Sequence, residues 1–259
     1  MPTIKMIADS GSTKTEWCLL NGKKQTSFIT EGLSPYFVKS DDFNAVLERN
    51  VRPVVGKSSV EEIYFYGTGC KNKQNIAMVK KCLHHSFSKA AITINTDLFG
   101  AARALCGNNP GMAGILGTGS NSCYFNGNRI VKNSPGLGYV LGDEGSGAYL
   151  GKKVIQHFLY GIFDTDLRAR FDAKFVTTDA EILNAVYTQP LPNRYLASFA
   201  IFLAENRGHY MIENIIEDGL NDFFKTHIVK YKESFKMPVH FTGSIAWGFK
   251  DIVTKLCDR

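Results

Sequence analysis

The sequence has 259 residues, of which 44% are hydrophobic and 21% charged, and its formal net charge is +6. This length allows one large or two modest domains, and the composition excludes intrinsic disorder and collagen-like repetition. No apolar run is long enough to span a bilayer, and the charged residues Lys5, Asp9 and Lys14 do not fit a secretory signal peptide. We therefore expect a cytoplasmic protein without a membrane segment.

The six cysteines are scattered, and no two have the CxxC or zinc-finger spacing of a metal site. Cys18 and Cys106 have apolar neighbours, which is typical of reduced thiols that serve as small core residues. The excess of basic over acidic residues is small and dispersed, so neither nucleic acid nor a membrane surface is expected as a partner.

Strand and helix patterns alternate in the first half of the chain. The predicted elements are strands at 4–8 and 16–20, a third strand after Gly22, a helix capped by Asp41 and Asp42 and reaching about Val51, a strand at 63–66, a helix at 75–87, a strand at 91–95 and a helix at 98–106. The order is therefore β-β-β-α-β-α-β-α.

After residues 107–110 the opening pattern starts again, with predicted strands at 112–116, 122–125 and 129–132. Both halves thus begin with strand, Gly/Thr/Ser turn, strand, Gly turn and strand, which is a weak internal duplication. The region from Gly147 to about Tyr231 is predicted as helix, broken near 189–190 and 207–208, before a strand at 238–242 and a final helix. We expect an α/β protein with a first domain at 1–107 and a second, helix-enriched domain at 108–259.

A turn of small polar residues follows the first strand of each half. In the first turn, the Asp9 carboxylate can hold Mg²⁺ through water, small residues allow backbone amides to approach phosphate, and Thr13 and Lys14 add donors. The second turn, 117–122, occupies the same place in the second half. Either turn alone fits an ordinary strand connection, whereas the pair together indicates a phosphate clamp.

Three other segments are candidates for function. Asp97 lies where a strand leads into a helix and is either a helix N-cap or a general base for a substrate hydroxyl. The glycine-rich segment 135–147 contains Asp143, which can accept two sugar hydroxyls, although a surface loop before a helix explains it too. The turn at Gly243 and Ser244 can lie against a nucleotide or form a routine strand-to-helix connection.

These motifs together resemble the sugar kinase/heat-shock ATPase/actin superfamily. The Gly-Asp-Glu-Gly-Ser sequence at 142–146 is the most specific part, and it is similar to the N-acetylglucosamine kinase branch, which shares the label of the BadF/BadG/BcrA/BcrD ATPase family. The resemblance spans nearly the whole chain. It implies two ribonuclease-H-like (actin-like ATPase) domains with a cleft between them.

The resemblance also implies a homodimeric, ATP- and Mg²⁺-dependent kinase that phosphorylates the 6-hydroxyl of an amino sugar, with N-acetylglucosamine as the leading substrate. Asp97 would be the catalytic base, and Asp9 would lie near Mg²⁺. The residues implied for ATP are Gly11, Ser12, Thr13, Lys14, Gly117, Thr118, Gly243 and Ser244. The residues implied for the sugar are Ser120, Asn121, Gly136, Gly138 and Asp143.

The chain departs from the family pattern in places. A sugar-contacting Asn is usual in the segment matching 32–36, which has none here, and Leu137 stands where some relatives carry Trp. Relatives also continue beyond the segment around Trp247 with another strand and helix. Glucosamine, N-acetylmuramic acid and N-acetylmannosamine therefore stay open as substrates.

Three other kinds of function are compatible with the same fold. One is an ATPase that activates a dehydratase, which would hold a [4Fe–4S] cluster through paired cysteines in a glycine-rich loop that this sequence does not contain. Another is a sugar-sensing regulator, which usually has a helix-turn-helix before the first strand. The last is a binding protein without turnover, against which the three carboxylates Asp9, Asp97 and Asp143 argue.

Overall fold

The computed structural model describes residues 4–56, 58–134 and 136–258. The chain forms two compact units, Met1–Gly100 and Ala101–Arg259. This division falls within the helix Asp97–Cys106, whereas the sequence places the domain boundary just after that helix, at residue 107.

The first unit contains a five-stranded sheet in the order β3-β2-β1-β4-β5. Its strands are β1 (Ile4–Ser10), β2 (Lys14–Asn21), β3 (Lys24–Glu31), β4 (Val60–Gly67) and β5 (Ala91–Asn95). The first three strands are antiparallel neighbours, while β1, β4 and β5 are parallel. Because parallel strands end at one edge, residues that follow β1, β4 and β5 lie at the same edge of the sheet.

Helices pack on both faces of this sheet. One face carries α1 (Ser40–Val46), which continues as a π-helical turn (Leu47–Val51) into α2 (Arg52–Val55), and α3 (Lys73–Ser86), while the start of α4 (Asp97–Cys106) contacts Tyr66 of β4 on the other face. Met6 and Ala8 of β1 are fully buried against Phe43 and Leu83 of these helices. Since strand side chains alternate, Asp9 points away from this core.

The predicted start of the first helix is wrong by one or two residues. Lys39 is the N-cap residue and forms no side-chain capping bond, while Asp41 and Asp42 lie inside the first turn. Their negative charges there still favour the positive end of the helix dipole.

The second unit contains a four-stranded sheet in the order β8-β7-β6-β9. Its strands are β6 (Pro110–Leu116), β7 (Ser120–Asn126), β8 (Ile130–Ser134) and β9 (Val239–Thr242). The first three are antiparallel, as in the first unit, and β9 is parallel to β6. The duplicated opening of the two halves is therefore present in the structure.

A large group of helices packs on this sheet. They are α5 (Gly138–Leu141), α6 (Gly147–Leu159), α7 (Thr165–Lys174), α8 (Asp179–Tyr187), α9 (Pro192–Ser198), α10 (Ile201–Glu205), α11 (Tyr210–Phe223) with a π-helical extension (Phe224–Ile228), a 3-10 turn (Lys232–Phe235), α12 (Ser244–Gly248) and α13 (Lys250–Cys257). Their shared core includes Leu150, Phe171, Phe202, Ile216 and Leu220, all fully buried.

The helical region has more interruptions than the two that the sequence analysis places in it. Asp164 caps α7 by accepting from the Leu167 amide, and Thr178 forms a capping box with Glu181 at the start of α8. Both are local sequence signals for a helix start. They divide what the hydrophobic pattern alone joins into one segment.

Within the described residues, no helix is both long and apolar enough to cross a membrane. All six cysteines are free thiols, and four of them, Cys70, Cys82, Cys106 and Cys123, are buried. Burial raises the pKa of Cys123 to about 12, so this thiol stays protonated at neutral pH.

Candidate active site

The turn between β1 and β2 in the first unit is held by its own side chains and backbone. The Gly11 amide donates to the Lys14 carbonyl over 2.9 Å, and the hydroxyls of Ser10 and Thr15 share a hydrogen bond of 2.9 Å below the turn. The Ser10 hydroxyl also accepts from the Leu33 amide at 3.1 Å. The turn is thus tied to the segment that follows β3.

Gly32 allows that segment to approach the turn closely. A Cβ atom at Gly32 would lie 2.5 Å from the carbonyl carbon and oxygen of Ser12, which no side chain can tolerate. The Gly32 amide donates to the Thr13 carbonyl at 3.1 Å. These contacts with Gly32, the residue that follows β3, fix the backbone position of Ser12 and Thr13.

The Thr13 hydroxyl oxygen is buried and has no hydrogen-bond partner within the described residues. Such an atom loses its hydration without compensation unless a ligand supplies the bond. The neighbouring Lys14 is partly exposed, and its ammonium group contacts the Glu16 carboxylate two residues further along β2. Thr13 therefore has free bonding capacity for a ligand, whereas Lys14 already has a carboxylate partner.

Asp9 lies at the end of β1 in a groove of about 590 Å³ on the face of the sheet away from α1 and α3, which Glu16 also lines. Loss of solvating water there is the main cause that raises the pKa of Asp9 to about 6, and the charges of Asp97 and then Glu16 raise it further, while Lys14 lowers it. Asp9 and Asp97 are therefore close enough to repel each other. A cation between or beside such carboxylates relieves this repulsion.

Asp97 occupies the first turn of α4, directly after β5. One carboxylate oxygen accepts from the Thr68 hydroxyl at 2.5 Å, and the other accepts from the Leu98 amide at 2.8 Å. The capping bond of the helix comes instead from Thr96, whose hydroxyl accepts from the Phe99 amide at 3.2 Å. Asp97 is thus oriented by two donors without being consumed as the helix cap.

Thr68 is a site residue that the sequence analysis did not identify. It follows β4, and its amide donates to the Ser10 carbonyl at 2.8 Å, so the ends of β1 and β4 are joined. Its side chain then reaches the carboxylate that follows β5. The Gly-Thr-Gly sequence at 67–69, which is repeated at 117–119, was the available signal.

In the second unit, the turn after β6 is attached to the start of α6. The Gly117 and Thr118 carbonyls accept from the amides of Gly147 and Ala148 at 2.8 and 3.0 Å, and the Gly117 amide donates to Gly119. The first turn of a helix has amides without partners inside the helix, so this contact satisfies two of them. The glycine-rich segment before α6 and the turn after β6 therefore form one assembly.

Gly243 lies against the same turn. Its φ is +109°, and a Cβ atom there would lie 2.3 Å from the Leu116 carbonyl oxygen and 3.0 Å from the Gly117 nitrogen. Only glycine fits both the backbone conformation and the space. The neighbouring Ser244 begins α12.

Asp143 has the left-handed backbone conformation, with a φ of 57°, which is uncommon for a residue other than glycine. Its carboxylate accepts from the Ser120 amide at 3.4 Å and lies 3.0 Å from the position of a Cβ atom at Gly119. Burial is the main cause that raises the pKa of Asp143, and the Ser120 amide opposes it. The Ser120 hydroxyl oxygen is buried and, among the described residues, has no partner.

Gly136 lies beside Ser120 and Asn121, since a Cβ atom there would be 3.6 Å from the Ser120 carbonyl and 3.9 Å from the Asn121 amide nitrogen. Gly138, with a φ of +75°, has open space around its Cα. The later glycines of the segment are different, because Gly145 packs against Phe223 in the core. The second part of the segment is therefore part of the packed interior and not a surface loop.

The predicted site residues thus form one group in each unit. The first unit brings together Asp9, Gly11, Ser12, Thr13, Lys14 and Asp97. The second brings together Gly117, Thr118, Ser120, Asn121, Gly136, Asp143 and Gly243, with Ser244 and Gly138 at its margins.

No protein-family model matches the sequence, and a comparison with curated proteins finds no match. Solved structures do match. A protein from Porphyromonas gingivalis, described as a putative N-acetylglucosamine kinase, is 37% identical with a TM-score of 0.93, over 98% of this chain and 90% of that one. A protein from Chromobacterium violaceum with the same description is 18% identical with a TM-score of 0.77, over 97% and 90%.

A ROK-family glucokinase from Streptomyces griseus, solved with glucose and AMPPNP, has a TM-score of 0.53 at 12% identity, over 97% of this chain and 98% of that one. At such low identity the similarity shows the fold alone, which is the α/β actin-like ATPase fold with two sheets. Identity of 37% over nearly the full length of the chain shows family membership as well as fold. The chain belongs to the N-acetylglucosamine kinase family.

Proposed function

We propose that this chain transfers the γ-phosphoryl group of ATP to the 6-hydroxyl of N-acetylglucosamine. The observation that carries the proposal is the geometry of Asp97, a carboxylate at the end of β5 that Thr68 and the Leu98 amide orient while Thr96 caps the helix. A base held in this way is what transfer to a sugar hydroxyl requires. The names of the Porphyromonas gingivalis and Chromobacterium violaceum proteins support the choice of sugar.

Asp97 is the general base in this proposal. The substrate hydroxyl gives its proton to Asp97 as its oxygen bonds to the γ-phosphorus, and the bond from that phosphorus to the leaving ADP oxygen breaks. Phosphoryl transfer involves little covalent work by the protein, so most of the acceleration comes from position and charge. Two hydrogen bonds to the Asp97 carboxylate restrict its rotation and keep one lone pair available for the hydroxyl.

Asp9 fits a role as the residue that holds Mg²⁺. The repulsion from Asp97 that raises its pKa is relieved by a cation, and hard oxygen ligands suit this ion. Mg²⁺ in phosphoryl-transfer sites is commonly held by one or two carboxylates together with substrate phosphates, which a single Asp9 fits. When bound, Mg²⁺ would neutralise charge on the transferred phosphate.

The phosphate groups of ATP are assigned to the small-residue turns. In the first unit, the unpartnered Thr13 hydroxyl supports this role, together with Gly11, Ser12 and the cation of Lys14. In the second unit, Gly117 and Thr118 are proposed for phosphate. Gly243 and Ser244 are proposed for the adenosine, because Gly243 packs directly on the Leu116–Gly117 backbone that leads into the proposed phosphate turn.

The sugar is assigned to the second unit, at the start of β7. Ser120 has a hydroxyl without a partner among the described residues, and Asn121 lies beside Gly136, with the open space around Gly138 next in the segment. The strained backbone of Asp143 holds a carboxylate that can accept sugar hydroxyls. Backbone strain of this kind is retained only where the surrounding structure fixes the residue, which here keeps the Asp143 carboxylate in one position.

The family resemblance also supports a homodimer in the cytoplasm, and the six free thiols agree with a reducing compartment. Light scattering coupled to gel filtration measures the number of subunits directly.

The proposal is tested by a coupled assay of ADP formation with N-acetylglucosamine, glucosamine, N-acetylmannosamine and N-acetylmuramic acid. The wild-type chain should prefer N-acetylglucosamine, and Asp97→Asn should lower kcat by at least about a hundredfold. Asp42→Asn, which makes the same change at an exposed position of the first unit, is the matched control. Full activity of Asp97→Asn would remove Asp97 from the mechanism, and absence of ADP formation with every sugar would refute the kinase assignment.

A further inference from the structure

The amide of Asn121 has one possible orientation. Asn121 is partly buried near the start of β7, and the backbone amide of Ser122 lies 2.9 Å from its side-chain oxygen. A backbone N–H only donates, so the side-chain atom that faces it must be the oxygen, Oδ1. This contact settles which end of the amide points toward the strand.

Asn133 on β8, the strand paired with β7, is oriented in the same unambiguous way. Its side-chain nitrogen lies 2.7 Å from the Ser122 carbonyl oxygen and 2.8 Å from the Ser134 carbonyl oxygen. A carbonyl only accepts, so this atom must be the amino nitrogen, Nδ2. The same nitrogen lies 2.9 Å from Asn121 Oδ1, so its two protons are shared among three acceptors, the Ser122 and Ser134 carbonyls and Asn121 Oδ1.

Asn121 Oδ1 therefore faces two donors, the Ser122 amide and Asn133 Nδ2, and its two lone pairs are occupied. Asn121 Nδ2 is the end of the amide that remains free, and it has no acceptor within the described part of the chain. It faces Gly136, because a Cβ atom added there would lie 3.9 Å from it, at van der Waals distance. The surface beside Gly136 thus presents a hydrogen-bond donor and not an acceptor.

We propose that Asn133 is a positioning residue that fixes Asn121 as a donor and so selects substrates with an acceptor oxygen on the 2-substituent of the sugar. The inference rests on the proposed function, in which Asn121 binds the sugar. The carbonyl oxygen of an acetamido group accepts from Asn121 Nδ2. The protonated amine of glucosamine offers only donors, so it would face another donor at Asn121 Nδ2. A site that leaves a hydrogen-bonding group unpaired discriminates against a substrate more strongly than a difference in pocket shape does.

Without Asn133, only the Ser122 amide fixes the orientation of the Asn121 side chain. A carboxylate at position 133 accepts only, so it cannot donate to the Ser122 and Ser134 carbonyls or to Asn121 Oδ1. It attracts the amino group of Asn121 instead, which opposes the Ser122 amide. Asn121 then presents a mixture of donor and acceptor to the sugar, and discrimination between the acetylated and the free amine declines.

The kinetic test uses Asn133→Asp, with Asn128→Asp as the matched control. Asn128 is exposed in the turn of the same hairpin and undergoes the same change of charge. For Asn133→Asp we expect the KM for N-acetylglucosamine to rise about tenfold with kcat changed less than about threefold, since one hydrogen bond contributes about this much. The kcat/KM preference for N-acetylglucosamine over glucosamine should fall about tenfold, whereas Asn128→Asp should match the wild type.

A second measurement is independent of catalysis. In ¹⁵N-labelled protein without sugar, the side-chain amide protons of Asn133 should exchange with water at least about tenfold more slowly than those of Asn121, because only the former are hydrogen-bonded. Asn121→Asp and Asn133→Asp assign the two signals by their loss. Equal exchange rates would overturn the inference.

The outcomes separate the two proposals. Wild-type activity on N-acetylglucosamine with an unchanged preference in Asn133→Asp overturns the role of Asn133 and leaves the kinase proposal standing. A rise in KM by the same factor for both sugars also overturns it, because a purely structural loss predicts that result. Absence of wild-type activity on every amino sugar overturns the proposed function itself, whatever the exchange rates show.

Discussion

The two turns that follow the first strand of each unit, Asp9–Thr15 and 117–122, have the same place in the topology and different chemistry. The first carries its own carboxylate and the ion pair of Lys14 with Glu16. The second consists of neutral residues, and its carboxylate, Asp143, comes from a separate segment. Each turn contains one buried hydroxyl that has no partner in the described part of the chain, Thr13 in the first and Ser120 in the second.

This difference indicates how a duplicated β-β-β opening can serve two roles. The shared features are those that topology imposes: a strand end, small residues, and a glycine from elsewhere that lets another backbone come near, Gly32 in the first unit and Gly243 in the second. The charges are not shared. We therefore propose that the first unit supplies the Mg²⁺ carboxylate and the base, whereas the second unit contributes hydrogen bonds to the phosphate and the sugar.

The largest expected effect concerns the two glycines. Gly243→Ala should lower the free energy of unfolding by about 3 kcal/mol, because it combines a clash with the Leu116 carbonyl and a positive φ. Gly32→Ala should cost less, because it introduces a clash only. Gly22→Ala, at a φ of +58° with open space, is the control at about 1 kcal/mol. Denaturant unfolding followed by circular dichroism measures all three, and a smaller loss for Gly243→Ala than for Gly22→Ala would contradict this account.

The next effect concerns how each unit holds its carboxylate. Asp97 is held by the Thr68 side chain, whereas Asp143 is held by a backbone amide that substitution cannot remove. Thr68→Val should therefore lower kcat about tenfold with little change in the KM for ATP, since a charged hydrogen bond contributes about 1.5 kcal/mol or more. Thr68→Ser should restore most of the activity, and steady-state kinetics of ADP formation distinguishes these results. An equal loss of kcat in Thr68→Ser would indicate that the packing of the Thr68 side chain, and not its hydroxyl, supports activity.

The two unpartnered hydroxyls allow a direct comparison of the turns. Thr13→Val should raise the KM for ATP about fivefold and leave the KM for the sugar unchanged. Ser120→Ala should raise the KM for the sugar about fivefold and leave the KM for ATP unchanged, because each variant removes one hydrogen bond to one substrate. Neither variant should lose thermal stability, because neither hydroxyl bonds to protein. The reciprocal pattern of KM values is the measurement, and equal effects on both substrates would refute the division of roles.

The smallest effect is the pH dependence that His227 of the second unit contributes. Burial is the main cause that lowers the pKa of His227, while Glu144, whose carboxylate is 3.3 Å away, raises it and Lys230 lowers it. At this group the folded chain then binds fewer protons than the unfolded chain as pH falls through the ordinary histidine pKa of about 6.5. The His227 contribution to stability should therefore decrease from about pH 7.5 to 5.5, whereas the raised pKa of Asp9 adds stability over the same range, so the comparison is made as the difference between variant and wild type.

His227→Gln should make this decrease smaller, and His84→Gln, at an exposed position, should leave it unchanged. Denaturant midpoints of the three proteins at several pH values provide the comparison. A decrease in His227→Gln as large as that of the wild type would show that other groups cause it.

Much of the fold could be predicted from local sequence. The alternation of apolar residues and the glycine turns located β1, β2 and β5 and the order of elements in the first unit. The helical region of the second unit was less well predicted, because the hydrophobic pattern continues across the starts of α7 and α8. Those starts are marked by the capping residues Asp164 and Thr178, and a single capping residue is a weaker signal than a hydrophobic pattern over many residues.

The candidate site divides in the same way. Asp9, Asp97, Asp143 and the two small-residue turns could be named from the sequence, because carboxylates and glycines at strand ends have few structural uses. Asn133 and His227 could not be, because each acts through a contact with a residue in another segment, and their residue types are common. Thr68 had a signal in the repeated Gly-Thr-Gly sequence, but its contact with Asp97 is visible only in the structure.

The sequence by itself determined the kinds of atoms available: which strand ends carry carboxylates, and where the backbone is left bare by glycine. Tertiary structure alone decided which of these atoms are already bonded and which are free. That distinction depends on pairing between strands and on the approach of distant segments, as when Asn133 occupies the oxygen of Asn121 and leaves its nitrogen open. Hydrogen bonds are short and directional, so their partners follow from three-dimensional position and not from the order of residues.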